Sequence, residues 1–253
     1  MKLISWNIQW CRGCDGRVDP ARIAKVAREM ADFDVLCLQE VASNYPDLEG
    51  SSGENQFAAL ARLFPRCTVV KGVATDGPAP QGERREFGNA IVTRLPILQV
   101  FRRLLPWPAD PSVPSMQRAA QVETLRELQT EAAGHAAAPV PAKEGPFRTM
   151  PRPASAILTA DFNFPPGDAL HARLQSPLAP GVPAYRDAWQ LSHPGKAHAP
   201  TVGVHDKPQW PGPPFACDFI FVTEDLAHRV EDVVVNGETD ASDHQPVLLE
   251  LRD

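Results

Sequence analysis

The chain has 253 residues, 43% of them hydrophobic and 22% charged, with a formal net charge of −6. This is the composition of a soluble globular protein, long enough for one large α/β or β-sandwich domain or two small ones. The acidic balance speaks against a surface given over to a nucleic-acid backbone, while leaving room for a local basic groove.

No apolar run approaches the ~20 residues of a membrane span. No signal-like apolar stretch precedes "LISWNIQW", so a cytoplasmic protein is expected. Five cysteines are an odd number for a disulfide framework. Cys11 and Cys14 form a C-x-x-C without the second pair of a zinc site or the strand-to-helix setting of a redox motif, so they read as two loop thiols.

From the N-terminus, "KLISWNIQ" alternates Leu3, Ser5 and Asn7 against Ile4, Trp6 and Ile8, the period of a strand. A helix follows, with Asp19 at its N-cap, Pro20 at its first position and Ile23, Val26, Ala27 and Met30 along one face. "DVLCLQE" is a short buried strand ending at Glu40. "ENQFAALARLF" places Phe57, Leu60, Ala61 and Phe64 on one helical face. "CTVVKGVA" and "GNAIVTRLPILQVFRRLL" read as strands, and "QRAAQVETLRELQTEAAG" as a helix turning Val122, Leu125, Leu128 and Ala132 inward.

The Pro-rich stretch from His135 to Ala154 reads as a long loop. "ILTADFNFPPGD" begins as a buried strand, then come a short helix ("DALHARL"), an aromatic turn or helix ("AYRDAWQLS") and a second Pro-rich loop around "KPQWPGPPF". Two strands, "CDFIFVT" and "PVLLELR", close the chain. No repeat or linker interrupts it, so one domain spanning 1–253 is expected.

These strands share an unusual feature at their ends. Asn7 lies late in the first, Glu40 closes the second, and Asp161 and Asn163 interrupt "ILTADFNF". Asp218 begins "DFIFV", and Asp243 and His244 immediately precede the last strand. Burying carboxylates and amides without partners costs several kcal/mol. If the ends converge on one rim, that rim holds carboxylates, amides and an imidazole. Oxygen ligands without thiolate partners favour Mg²⁺ or Mn²⁺ over Zn²⁺. Such a site can neutralise phosphate charge, while an Asp takes a proton from water and an Asn donates to a phosphate oxygen.

In order, "SWNIQW", "LCLQEV", "GNAIVTRLPI", "ILTADFNFPP", "CDFIFVT" and "SDHQPVLLEL" resemble the successive signatures of the endonuclease/exonuclease/phosphatase superfamily, across Leu3 to Leu251. The resemblance implies a DNase I-like four-layer α/β sandwich, two mostly antiparallel sheets packed face to face between helices. It implies a metal-dependent hydrolase of phosphate esters. Glu40 would be the principal Mg²⁺ ligand, with Asn7 and Asp243 close to the metal. Asp161 would handle the attacking water or the leaving group, Asn163 would bind the phosphate, and His244, held by Asp218, would stabilise phosphoryl charge. Gly88, Asn89 and Arg94 would lie near the cleft, and Arg118 and Gln121 match the helix that follows the family's "TH" strand.

That strand itself is not found. "PWPADPSVPSM" runs directly into "QRAAQVETL", and by the family pattern a segment of roughly thirty residues, two strands with their turns, is missing between Met116 and Gln117. His135 does not replace the histidine that strand would carry. Either the protein has a true deletion, or it has a segment that this sequence omits; unpaired strand edges and a core defect would accompany the former. An intact mass near 27.6 kDa would identify the deletion.

The expected substrate is a phosphate ester: a small phosphorylated metabolite, nucleotide, lipid head group or nucleic acid, acted on by a monomer. For nucleic acid, Arg12, Arg17, Arg84, Arg85, Arg102 and Arg103 would line a cleft, with Trp10, Trp107 or Trp210 stacking on bases. The acidic balance and the lack of a dense basic stripe favour a smaller substrate. The alternatives are a repair-type DNA or RNA endonuclease or exonuclease, and a catalytically impaired binding protein on the same fold.

Overall fold

Alternation along the first strand sets the layers. The computed structural model describes residues 1–80, 82–107, 117–141, 144–145, 148 and 150–252. In β1 (Lys2–Asn7), Ile4 and Trp6, continued by Ile8, face one apolar cluster and Leu3 another. β1 pairs in parallel with β2 (Val35–Ser43) and antiparallel with β9 (Val247–Leu251). With β3 (Thr68–Pro78), β4 (Arg84–Thr93) and β8 (Val230–Val235) they form a six-stranded sheet, ordered β3-β4-β2-β1-β9-β8. A three-stranded antiparallel sheet lies against it, ordered β5-β7-β6, from β5 (Ile157–Asp161), β6 (Tyr185–Asp187) and β7 (Asp218–Thr223).

Leu3, Val247 and Leu249 meet Ile220 and Val222 between the sheets. Outside the large sheet, α1 (Pro20–Met30) and α2 (Gln56–Leu63) cover Ile4, Trp6, Ile8, Leu36 and Leu38. Outside the small sheet, α3 (Arg118–Ala137) and α4 (Ala169–Gln175) cover Phe162, Phe164, Phe219 and Phe221. Helices therefore flank two packed sheets, the expected four layers. α5 (Ala188–Ser192) follows β6 and packs near β8. Asp19 Oδ1 accepts from Ala21 N at 2.8 Å, the N-cap expected of it, with Pro20 in the first turn.

Several elements differ from the sequence reading. β2 does not end at Glu40: a bulge between Leu38 and Val41 carries it on to Ser43. The strand expected through 88–105 stops at Thr93, and 95–107 has no regular structure, with Leu98, Phe101, Leu104 and Trp107 at least 60% exposed. Ala61 faces solvent, and Ala59 takes its place beneath α2. In α3, Val122 is inward as expected. Its other deeply buried positions include Arg126 and Gln129, whose N–H groups bond the carbonyl of 173 in the last turn of α4 and loop carbonyls at 176, 177, 154 and 183. That helix continues through His135 to Ala137, beyond the expected end. β8 escaped the reading because "VEDVVV" lacks strict alternation. The junction at Met116 lies outside the described residues. Among those described, β5 is an edge strand, bonded to β7 alone.

Candidate active site

Along the facing sides of the two sheets, apolar residues give way to polar ones toward one end. On β1 the sequence is Leu3, Ser5, Asn7; on β5 it is Ile157, Thr159, Asp161. Asn7 joins the sheets, its Nδ2 donating to Glu40 Oε1 at 3.0 Å and to Asp161 Oδ2 at 3.2 Å. Gln9 N donates to Asn7 Oδ1 at 3.1 Å and fixes which way the amide points. Glu40 sits in the β2 bulge with φ of 58°, a left-handed conformation costly for a non-glycine residue. Asn163, at φ 55°, turns its N–H to Asp161 Oδ1 at 2.8 Å. Strained backbone thus sits beside both carboxylates.

A second group closes the rim from the start of β7 and the turn before β9. His244 Nδ1 lies 2.9 Å from Asp218 Oδ2, which also accepts from Thr201 Oγ1 at 2.6 Å. Trp6 Nε1 donates to the His244 carbonyl at 2.9 Å, and Ser242 Oγ to the Asn7 carbonyl at 2.9 Å, so the "SDH" turn is tied to β1. The opposite ring nitrogen, Nε2, is 3.9 Å from Asp161 Oδ2 and 4.0 Å from Asp243 Oδ2. Asp243 Oδ2 in turn accepts from Trp210 Nε1 at 3.0 Å and Gln209 Nε2 at 3.2 Å.

Four carboxylates share this partly dry rim, and their titration reflects it. Burial pushes Glu40 up, with Asp243 and Asp161 adding to the shift and the Asn7 bond opposing it. Burial pushes Asp161 up, reinforced by Asp218 and opposed by His244. Burial works against a charged His244, but Asp218, by charge and hydrogen bond, outweighs it and raises the imidazole to about 10.

An oxygen-rich set carrying excess negative charge fits a hard divalent cation. One cluster of ligating atoms at this rim is Asp161, Cys217, Asp218 and His244, within 4.8 Å. Asp218 Oδ2 and His244 Nδ1 are bonded to one another there, and burial raises the Cys217 thiol far above its usual range. Glu40 and Asp243 are the two rim carboxylates outside that cluster. Asn7 presents its amide nitrogen to Glu40 and Asp161 rather than its oxygen.

The structure thus brings Asn7, Glu40, Asp161, Asn163, Asp218, Asp243 and His244 to one rim. Asn89 lies on β4 opposite the Glu40 bulge, between the Ala90↔Leu38 and Gly88↔Val41 pairs. A Cβ on Gly88 would lie 2.4 Å from Gly72 O, so β3 and β4 can approach there only across a glycine. Arg94 is at the other end of the strands, bonded to Asp32 and Asp34 beside the start of β1. The likeness of "GNAIVTR" to the family's substrate-side strand implies a place near the cleft, but the run of β4 to Thr93 carries Arg94 to the opposite end. Arg118 is exposed at the start of α3, with no bond to the rim among the described residues.

Thr201, Ser242, Gln9 and Gln209 were not foreseen, since nothing local in the sequence marks them. Trp210, one of the three tryptophans considered for base stacking, donates its indole N–H to Asp243. Cys11 and Cys14 are unpaired thiols; Cys11 is fully buried, and burial raises Cys14 to about 11.

A family model described as "Endonuclease/Exonuclease/phosphatase family" matches residues 4–244. Among solved structures, the chain resembles the 3' phosphatase NExo from Neisseria bound to a product DNA hairpin, at 19% identity over all of both chains and a TM-score of 0.58. It also resembles an endonuclease/exonuclease/phosphatase from Bacteroides vulgatus, at 16% identity over 99% of this chain and 98% of that one, TM-score 0.63. An AP endonuclease from Archaeoglobus fulgidus matches at 14% identity over all of both chains, TM-score 0.53. At these identities the likenesses bear on fold. No curated protein sequence matches the chain.

Proposed function

Because the chain belongs to the endonuclease/exonuclease/phosphatase family and is therefore a metal-dependent phosphoesterase, we propose that it hydrolyses its ester by in-line attack of water with Mg²⁺. The observation that carries this reading is the meeting of Asn7, Glu40 and Asp161 across the two sheets, with His244 Nε2 turned toward the same point.

Glu40 and Asp243, with Asn7 beside them, would hold the cation, which neutralises phosphate charge and stabilises a leaving oxygen. Mn²⁺ suits the same oxygens. Asp161 takes a proton from the attacking water; its raised pKa makes it a stronger base than an exposed aspartate. Asn163 donates its amide to a phosphate oxygen. Asp218 keeps His244 protonated and turned so that Nε2, beyond hydrogen-bond reach of Asp161 and Asp243, faces the phosphoryl group.

The substrate we propose is a small phosphorylated metabolite, a nucleotide or a lipid head group. Of the arginines available to a nucleic-acid backbone, Arg12 pairs with Glu49, Arg84 with Asp76, Arg85 with Asp47 and Arg103 with Glu131. A DNA or RNA nuclease is the second reading, favoured by the likeness to the Neisseria phosphatase solved with product DNA. Hydrolysis of abasic DNA, single-stranded RNA, nucleotides and inositol phosphates, each with Mg²⁺ or Mn²⁺, separates the two. Any metal-dependent turnover excludes a pure binder.

A further inference from the structure

A small cavity is lined by Asp218, Trp189, Asp187, His198 and Thr201 among apolar neighbours. Its room for a water centre is about 10 Å³, the space of a single water molecule. Two polar atoms on its lining residues are buried without a hydrogen-bond partner among the described residues: Asp218 Oδ1, an acceptor, and Trp189 Nε1, a donor. Leaving such atoms unsatisfied costs about 1–3 kcal/mol each, more for a charged one. A donor and a charged acceptor on one water-sized cavity is the arrangement that retains an internal water.

The indole is held firmly enough to matter. Trp189 stacks on His193 with ring centroids 4.2 Å apart and on His198 at 5.8 Å. Asp187 Oδ1 caps α5 through Trp189 N at 2.8 Å. Asp187 Oδ2 meets His171 Nε2 at 2.8 Å and His198 Nε2 at 2.6 Å. This trio also has the composition of a metal site, but its hydrogen bonds argue otherwise. Gln175 Oε1 accepts from Asp187 N, which turns Gln175 Nε2 toward His171 Nδ1 at 3.3 Å. His171 then carries its proton on Nε2 and donates it to Asp187. The cluster is thus a rigid hydrogen-bonded frame for Trp189.

We infer that this cavity is a built water site, and that Trp189 positions Asp218 through that water: Nε1–H donates to the water, and the water donates to Asp218 Oδ1. Asp218 then has both oxygens engaged, Oδ2 by Thr201 and His244 and Oδ1 by the water, so the carboxylate cannot rotate and His244 keeps its aim. The positioning claim rests on the catalytic reading of Asp218 and His244; the water site does not.

Two measurements test it. In ¹⁵N-tryptophan-labelled protein, the Trp189 indole proton should show a cross-peak to a slowly exchanging water, and Trp189→Phe should remove it. Absence of that cross-peak overturns the water site. Trp189→Phe removes the donor along with part of the ring's packing surface, and the Asp218→Ala background separates the two effects. The kcat of Trp189→Phe should fall about tenfold, the size of one hydrogen bond, with KM unchanged. In an Asp218→Ala background the same substitution should have no further effect on kcat. A Trp189→Phe enzyme that folds with wild-type kcat, or one whose loss persists undiminished in Asp218→Ala, overturns the positioning role. If Asp218→Ala itself keeps full turnover, the catalytic reading has failed and the positioning role fails with it, while the cross-peak still decides the water site.

Discussion

His244 Nδ1 and Asp218 Oδ2 lie 2.9 Å apart, with side chains only 7% and 1% exposed. An imidazole so buried would ordinarily lose its proton more easily than in water. Asp218, helped by Asp161 and Asp243, reverses that tendency and holds the ring charged to about pH 10. A permanent cation beside two carboxylates is useful to a phosphoesterase, because it meets phosphoryl charge without an energetic penalty for protonation at neutral pH.

In metal-free protein, Asp218→Asn should move the His244 titration down from about 10 toward the ordinary ~6.5. A raised folded value stabilises the protein fully below the unfolded pKa, and that gain is lost as pH rises through the folded one. The stability difference between wild type and Asp218→Asn should therefore be full at pH 6 and shrink toward pH 10. NMR of the imidazole and urea unfolding across that range check both; an unmoved titration would mean Asp218 is not the cause.

Glu40 carries a penalty in the absence of metal, because burial and its neighbours raise its pKa. Glu40→Gln should therefore raise the melting temperature of metal-free protein while abolishing the rise that Mg²⁺ or Mn²⁺ produces in the wild type. Thermal unfolding with and without metal reads both. A metal-induced rise retained in Glu40→Gln would remove Glu40 from the metal site.

Asp187 is 1% exposed, and burial alone would raise its pKa; the bonds from His171 and His198 more than offset this and hold it low. Asp187→Ala leaves a buried and a half-buried imidazole without an acceptor and α5 without its cap, a loss of about 3–5 kcal/mol. A depressed carboxyl contributes stability above its unfolded value, near 3.9, that is lost as pH falls through the folded one. Below about pH 4 the wild type should lose stability more steeply than Asp187→Asn, which urea unfolding at pH 3 to 6 measures.

Ionic strength should separate the substrate classes. With the arginines at 12, 84, 85 and 103 paired to carboxylates, kcat/KM for the best small phosphate ester should change less than about threefold between 50 and 200 mM salt. A nucleic-acid substrate contacted through six or more phosphates would lose about a thousandfold or more in affinity over that range. Such a loss would favour the nuclease.

Much of the site was legible because its residues interrupt otherwise apolar strands. Asn7, Asp161 and Asp218 each break a pattern of burial, and the alternation in "KLISWN" predicts which side of the sheet Asn7 takes. What was not legible depends on contacts distant in sequence. Thr201 reaches Asp218 across 16 intervening residues and Trp210 reaches Asp243 across 32, and no local period signals either. The Glu40 bulge was hidden because an apolar strand continues past it, so an acid in mid-strand read as an acid at an end. Arg94 differs because its expected place came from the family likeness of "GNAIVTR" alone, whereas β4 ends at Thr93 and the side chain bonds Asp32 and Asp34 at the far end. Buried Arg126 and Gln129 broke the helical stripe of α3 because loop carbonyls satisfy them.

The central claim is that the residues meeting across the two sheets hydrolyse a phosphate ester. The most direct measurement is metal-dependent turnover of bis(4-nitrophenyl) phosphate by wild type, Asp161→Ala and His244→Ala, each shown to be folded. The account predicts Mg²⁺- or Mn²⁺-dependent turnover by the wild type and losses of about a hundredfold or more in both variants. Unchanged turnover in both would contradict it.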